Sequence, residues 1–208
     1  MTSENHQPVV FLDRDGTIIE EVGHLHRPEQ VRFIPGALEA LQRLKAAGYR
    51  LVAVSNQSGV ALGLFTEQDV REVNDFIQDH LKAHNAGLDA WYWSPFHPQG
   101  TVAPYNVDSP LRKPATGMIE KAVCDLGLSL AGGWMVGDKW SDVLCGWRAG
   151  LRSILVLTGY GREQWLRVAQ SGEPIGVLTV AGSLADAADW ILKCDGCCQP
   201  EPCIPKDR

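Results

Sequence analysis

The sequence predicts an α/β fold built on an open parallel sheet. Three observations predict it. Apolar runs of strand length alternate with stretches of helical periodicity along the 208 residues. The runs are near-continuous rather than alternating, as expected of strands covered by helices on both faces. Acidic, hydroxyl and basic residues collect just after those runs, where ligands bind in such sheets.

The elements follow in order. PVVFLD (8–13) is a short apolar run ending in acid and reads as a buried strand. Pro35-Gly36 opens a helix whose Leu38, Leu41 and Leu44 keep helical spacing, with Gly48 as its C-terminal cap. YRLVAVSN (49–56) is a second strand. Thr66 with Asp69 three residues on approximates a capping box. The helix it starts runs through Val70, Val73, Ile77 and Leu81. LDAWYWS (88–94) is a third, aromatic-rich strand, and the Pro/Gly-rich stretch 95–114 is a long loop. Residues 115–127 form a helix, 132–138 a fourth strand, 141–150 a short helix and 151–159 a fifth strand. A last helical pattern spans 184–192. The expected whole is Rossmann-like and three-layered, α/β/α, with a small hairpin flap at about 18–34 and no large cap domain.

Length predicts one domain, residues 1–194, followed by a flexible Cys/Pro tail, 195–208. Hydrophobic residues are 45% and charged residues 21%, which excludes global disorder. Nineteen Lys+Arg against 25 Asp+Glu give a net charge of -6. That sign excludes a nucleic-acid binder working by phosphate neutralisation. An anionic substrate therefore needs a local cationic pocket or a metal. No apolar run spans a bilayer, and the N-terminal residues carry no secretory pattern. Cys124 and Cys145 sit in helical segments, while Cys194, Cys197, Cys198 and Cys203 crowd the tail. This is no disulfide framework, and a reducing cytoplasm is expected. The tail spacing lacks the paired C-x2-C of zinc modules, so exposed thiols are expected there rather than a metal.

The strand ends carry the chemistry. They read Asp13-Arg14-Asp15-Gly16-Thr17, Ser55-Asn56-Gln57-Ser58-Gly59, Arg112-Lys113-Pro114 and Gly137-Asp138-Lys139-Trp140-Ser141-Asp142. Such a set suits phosphoryl transfer through a carboxylate. A divalent cation removes the repulsion between an anionic nucleophile and a phosphate, and Mg2+ suits oxygen ligands. Asp13 and Asp138 would bring carboxylates from adjacent strands. One carboxylate attacks phosphorus, and a second, two residues on, handles the proton of the leaving oxygen. Ser55 donates to phosphoryl oxygens, and Lys113 supplies fixed positive charge. Asp142 is open between orienting the metal site and capping a helix.

DRDGT, SNQSG, K-P before a helix and GDKWSD, in this order, resemble the haloacid dehalogenase-like phosphatase superfamily over about residues 9–161. The resemblance implies Asp13 as nucleophile and Asp15 as general acid/base, with Ser55 and Lys113 binding the phosphoryl group. It implies Asp13, the Asp15 backbone carbonyl and Asp138 as Mg2+ ligands. FLDRDGTI, F-x-P-G, SNQSGVALGLFT, HPQG and RKPATGM look like the D-glycero-D-manno-heptose 1,7-bisphosphate phosphatase branch. Related histidinol-phosphate phosphatases usually carry Asp where this chain has Ser58. The heptose branch implies that Asn56, Gln57, Arg112, Lys113 and Lys139 line the substrate site. It implies removal of the 7-phosphate and a product feeding nucleotide-activated heptose synthesis for lipopolysaccharide.

One departure stands out. That branch usually holds the loop after the third strand with zinc, where this chain has Ser94, Phe96, Ser109 and Leu111. None is a competent ligand in place of the expected one, and His97 alone cannot make a site. No zinc is expected in this loop. Packing among Trp91, Tyr92, Trp93, Phe96 and Tyr105 is expected to fix it. His24 and His26 fall in the flap, which would cover the sugar without either histidine holding a catalytic role. The expected molecule is a cytoplasmic monomer acting on a small phosphorylated sugar, with no nucleic-acid or membrane partner. The alternatives are a histidinol-phosphate or other small-ester phosphatase and, from another class, a non-catalytic binding protein on this scaffold.

Overall fold

Six parallel strands lie side by side in the order β3-β2-β1-β4-β5-β6. They are β1 (Val9–Leu12), β2 (Arg50–Asn56), β3 (Ala90–Ser94), β4 (Trp134–Gly137), β5 (Arg152–Val156) and β6 (Val177–Ala181). The α-helices are α1 (Ala37–Ala46), α2 (Glu67–Ala83), α3 (Gly117–Leu126), α4 (Trp140–Arg148), α5 (Gly161–Ser171) and α6 (Leu184–Gly196). The structure, a computed structural model, describes residues 7–171 and 176–196. Cys197, Cys198 and Cys203 of the tail lie outside them.

The buried strands alternate between two cores. Val10 and Leu12 of β1, Leu51 and Ala53 of β2, and Trp134 and Val136 of β4 face one core, shared with α1, α2 and α6. Val9, Phe11, Val52, Val54 and Met135 face the other, shared with α3 and α4. Each fully buried Leu, Ile or Phe here contributes about 1.5–3 kcal/mol. That two-sided burial is why the runs are continuously apolar. Gly48, at φ +88°, ends α1 in the left-handed region, and the Tyr49 N–H returns to the Leu44 carbonyl at 3.1 Å. The expected capping box opens α2: Thr66 Oγ1 accepts from the Asp69 N–H at 3.2 Å, and Asp69 Oδ2 accepts from the Thr66 N–H at 2.6 Å.

Three features differ from the sequence expectation. A sixth strand and the helix before it, β6 and α5, are present where none is expected. β6 is a five-residue edge strand, half-buried over 177–180, so its apolar signal is short. The last helix runs to Gly196, past the expected domain end at 194. The flap is not a strand hairpin. Its base is antiparallel, with Glu20 N–H to Arg32 O at 2.8 Å and Ile34 N–H to Ile18 O at 3.1 Å. Beyond an isolated Ile19–Phe33 bridge, Pro28–Gln30 forms a 3-10 turn instead of a ladder. Pro28 has no N–H to give to such a ladder.

Candidate active site

β1 sits between β2 and β4, so the chain leaves it toward different sides of the sheet. The cleft at that reversal is the expected ligand position. A cavity of about 240 Å³ opens there, and Asp13, Asp15, Ser55, Asn56, Gln57 and Lys113 are in its wall.

Lys113 is the hub. Its side chain is 1% exposed. Nζ donates to Asp13 Oδ1 at 2.7 Å and to the Val54 carbonyl at 2.6 Å, and pairs with Asp142 Oδ1 at 2.6 Å. Burial works to lower its pKa, but the two carboxylates outweigh it and raise it, so Lys113 is charged throughout the working range. Burial likewise works against the Asp13 carboxylate, yet Lys113 and Lys139 hold its pKa below the usual value. Asn56 fixes Lys113 from behind. Its Nδ2 donates to the Lys113 carbonyl and its Oδ1 accepts the Lys113 N–H, each at 3.0 Å.

Asp142 caps a helix, one of the two readings the sequence left open, and it also reaches Lys113. Oδ2 accepts the Lys139 N–H at 2.9 Å at the start of α4, and Oδ1 pairs with Lys113. Asp138 is different. It is fully buried, and its Oδ2 accepts the Tyr160 N–H at 2.8 Å. Its Oδ1 has no hydrogen-bond partner, with Lys139 Nζ 3.8 Å away. Burial, then the facing Asp13, pushes its pKa up to about 8. One carboxylate oxygen from each of Asp13, Asp138 and Asp142 lies within 4.8 Å of the others. Five carboxyl groups (Asp13, Asp15, Glu21, Asp138, Asp142) meet three cationic side chains (Arg14, Lys113, Lys139). The carboxyl groups outnumber the cations by two. A buried, orphaned carboxylate oxygen in such a cluster fits a divalent cation.

Gly16, at φ +80°, lets this cluster close. A Cβ there would collide with Asp138 Oδ2. Thr158 Oγ1 donates to the Gly16 carbonyl at 2.6 Å, so the turn after β5 holds both Gly16 and Asp138.

This chain is 34% identical over 185 residues, 89% of each protein, to the D-glycero-beta-D-manno-heptose-1,7-bisphosphate 7-phosphatase of Yersinia pestis. The chain belongs to the heptose-bisphosphate phosphatase family of HAD-like hydrolases. The 7-phosphatase of Chlorobaculum tepidum is 39% identical over 161 residues, covering 74% of this chain and 81% of that one. A HAD-hydrolase-like family model matches residues 110–187. The D,D-heptose 1.7-bisphosphate phosphatase from B. bronchiseptica, solved with magnesium and phosphate, superposes with a TM-score of 0.76 at 32% identity. That match covers 89% of this chain and 98% of the other. A putative HAD-like phosphatase from Mesorhizobium loti gives 0.75 at 31% identity over 90% and 87%. The chain is a phosphoric monoester hydrolase by this membership.

In this phosphatase the remaining expected site residues divide. Lys139 lines the cleft, 2.9 Å from Glu21 of the flap and over the Tyr160 ring at 4.8 Å from its centroid. Gln57 bridges: Nε2 donates to Asp15 Oδ2 at 2.9 Å and to Ser55 Oγ at 2.7 Å. Arg112 is not in the cleft wall. Its Nη1 donates to Ser58 Oγ at 2.7 Å and the Phe96 carbonyl at 3.1 Å, tying the long loop down. Glu21, His24, Phe65 and Tyr160 line the cleft without having been expected there as site residues. His26 stacks on Phe65 at 5.9 Å, which seats the flap. The flap's aromatics and the LTGYG turn carry no motif, so only the fold reveals them.

Glu67 ties the long loop to β3. Its carboxylate accepts from Trp93 Nε1 at 3.1 Å and from Tyr105 Oη at 2.9 Å. The five-aromatic cluster expected from the sequence is split. Trp91 and Tyr92 pack into opposite cores, because neighbours on a strand face opposite ways. Phe96 and Tyr105 do meet, at 5.8 Å.

Cys145 lies beneath the site, its Sγ donating to the Ala115 carbonyl at 3.2 Å. Burial pushes its thiol up to about 12. At pH 8 only on the order of one molecule in ten thousand carries the thiolate. Iodoacetamide at pH 8 is therefore expected to label the exposed Cys124 and spare Cys145 until the protein is unfolded. Peptide mass spectrometry reads this out. Equal labelling of both in the native protein would contradict the buried placement.

Proposed function

We propose that this chain removes the 7-phosphate of D-glycero-D-manno-heptose 1,7-bisphosphate with Mg2+, through an aspartyl-phosphate on Asp13. One observation supports it above the rest: the Asp13 carboxylate is paired with Lys113 beside the orphaned oxygen of Asp138. A nucleophile, a fixed cation and an unpartnered carboxylate oxygen share one buried cluster. The names of the relatives supply the sugar.

Asp13, Asp138 and the Asp15 backbone carbonyl would hold the metal. Mg2+, when bound, supplies the charge that lets an anionic nucleophile approach a phosphate. The residues do the rest. Asp13 attacks phosphorus, and Lys113 and Ser55 hold the phosphoryl oxygens. Asp15 gives its proton to the departing sugar oxygen and later takes one from the water that frees the phosphate. Asn56 keeps the Lys113 backbone in place, and Gln57 links Asp15 to Ser55. Lys139 and Glu21 face the sugar side of the cleft. The flap over about 18–34 covers it.

The reading extends to a monomer working in the cytoplasm, as one domain followed by a Cys/Pro tail. Among the described residues, no helix is long and apolar enough to cross a membrane. Phosphate release from a panel of esters tests the substrate. Heptose bisphosphate is expected to rank first, at position 7; faster turnover of histidinol phosphate would replace it. Asp138→Asn tests the metal. The variant is expected to need at least about tenfold more Mg2+ for half-activation. Its melting temperature without metal should not fall, since the amide carries no charge to bury beside Asp13 at any pH. An unchanged Mg2+ requirement would remove Asp138 from the ligand set.

A further inference from the structure

Asn74 is the polar residue on the buried stripe of α2, one turn from Val70 and from Ile77, and it is 6% exposed. It is not in the wall of the cleft. Its Oδ1 accepts from Arg14 Nη1 at 2.8 Å. Arg14 is itself 1% exposed. Its Nε and Nη2 donate to the two oxygens of Asp15, each at 3.1 Å, and Nη2 also reaches Gln57 Oε1 at 3.0 Å.

We propose that Asn74 is a positioning residue for phosphoryl transfer, holding the Arg14 guanidinium in the plane that aims Asp15 at the leaving oxygen. This rests on the acid/base role proposed for Asp15. A guanidinium is a rigid planar fork. Three of its hydrogen bonds end on Asp15 and Gln57, and a fourth, from one of the five N–H groups, ends on Asn74. Buried Nη1 has no water to turn to, so losing its acceptor rotates the fork toward another one. The two bonds to Asp15 turn with it. A misaimed acid matters only where a proton is needed. In the first step the Asp13–phosphorus bond forms, the bond from phosphorus to the ester oxygen breaks, and the Asp15 proton goes to that oxygen. An alkoxide cannot leave without the proton; p-nitrophenolate can.

The experiment compares wild type, Asn74→Leu and Asn74→Asp on p-nitrophenyl phosphate and on the alkyl phosphate that the ester panel ranks first. Asn74→Leu is expected to lose about tenfold or more in kcat on the alkyl ester, with KM within about twofold. Its p-nitrophenolate burst should stay within about threefold of wild type. Asn74→Asp keeps the acceptor and should recover the alkyl ester. Should Asn74→Leu not fold, Asn74→Ser, too short to reach Arg14, carries the same comparison. Equal losses on both esters, no loss on the alkyl ester, or no recovery by Asn74→Asp would overturn the proposal. A wild type that releases phosphate from neither ester would instead overturn the phosphatase chemistry itself.

Discussion

Asp13→Asn is expected to lower phosphate release by at least about a thousandfold while the fold survives. An amide of nearly the same volume replaces the carboxylate, so the packing at the end of β1 is kept. Lys113 keeps Asp142 and the Val54 carbonyl. Asp138 no longer faces a like charge, which, after burial, is the second cause of its raised pKa. The melting temperature without metal should therefore hold or rise. What disappears is the group proposed to attack phosphorus. Phosphate release and thermal unfolding of the same preparation check both halves. Wild-type turnover by this variant would sink the covalent mechanism.

Lys113→Met should damage stability and activity together. Methionine fills the space but leaves Asp13 and Asp142 buried without their shared cation. Removing one partner of a buried ion pair costs about 3–5 kcal/mol. For a chain of this size that lowers the melting temperature by roughly 10 °C. The loss has a pH signature. Burial already raises the Asp142 pKa, and Lys113 opposes it. Without Lys113 the folded-state carboxyls titrate higher still, above their unfolded values. The folded variant then binds more protons than the unfolded chain, so its stability falls as pH rises. In EDTA the deficit against wild type is expected to be larger at pH 8 than at pH 5. A pH-independent deficit would mean that lost packing, not unpaired charge, is responsible. Turnover should fall by orders of magnitude because Asp13 and the phosphoryl oxygens lose the same cation.

The cluster at the strand ends was legible because parallel strands buried on both faces have a plain signature and deliver their next residues to one edge. Asp13, Ser55 and Asp138 each follow an apolar run, and pairing of β1 with β2 and β4 brings them together. Lys113 was legible only through its motif, since a long loop delivers it. The sequence could not say that Asn56 spends both ends of its amide on the Lys113 backbone. That depends on how β2 meets the loop. β6 was missed because a short, half-buried edge strand carries little apolar signal. The flap was misjudged because a single bridge and a 3-10 turn have no periodicity of their own. Asn74 did leave a trace: a polar residue on the stripe of Val70, Val73, Ile77 and Leu81. Only its distance to Arg14 gives that trace a meaning.

Three residues of α2 serve partners at fixed offsets. Glu67 clamps the loop through Trp93 and Tyr105, and Asn74 holds Arg14. Gln78 accepts from Trp91 Nε1 and the Leu88 N–H, each at 3.0 Å, steadying the edge strand. A helix advances about 100° per residue. One residue gained or lost between Glu67 and Gln78 would leave one partner in place and swing another about 100° around the axis. The helix is thus a ruler whose length cannot drift, so insertions and deletions should be tolerated outside this eleven-residue interval and not within it.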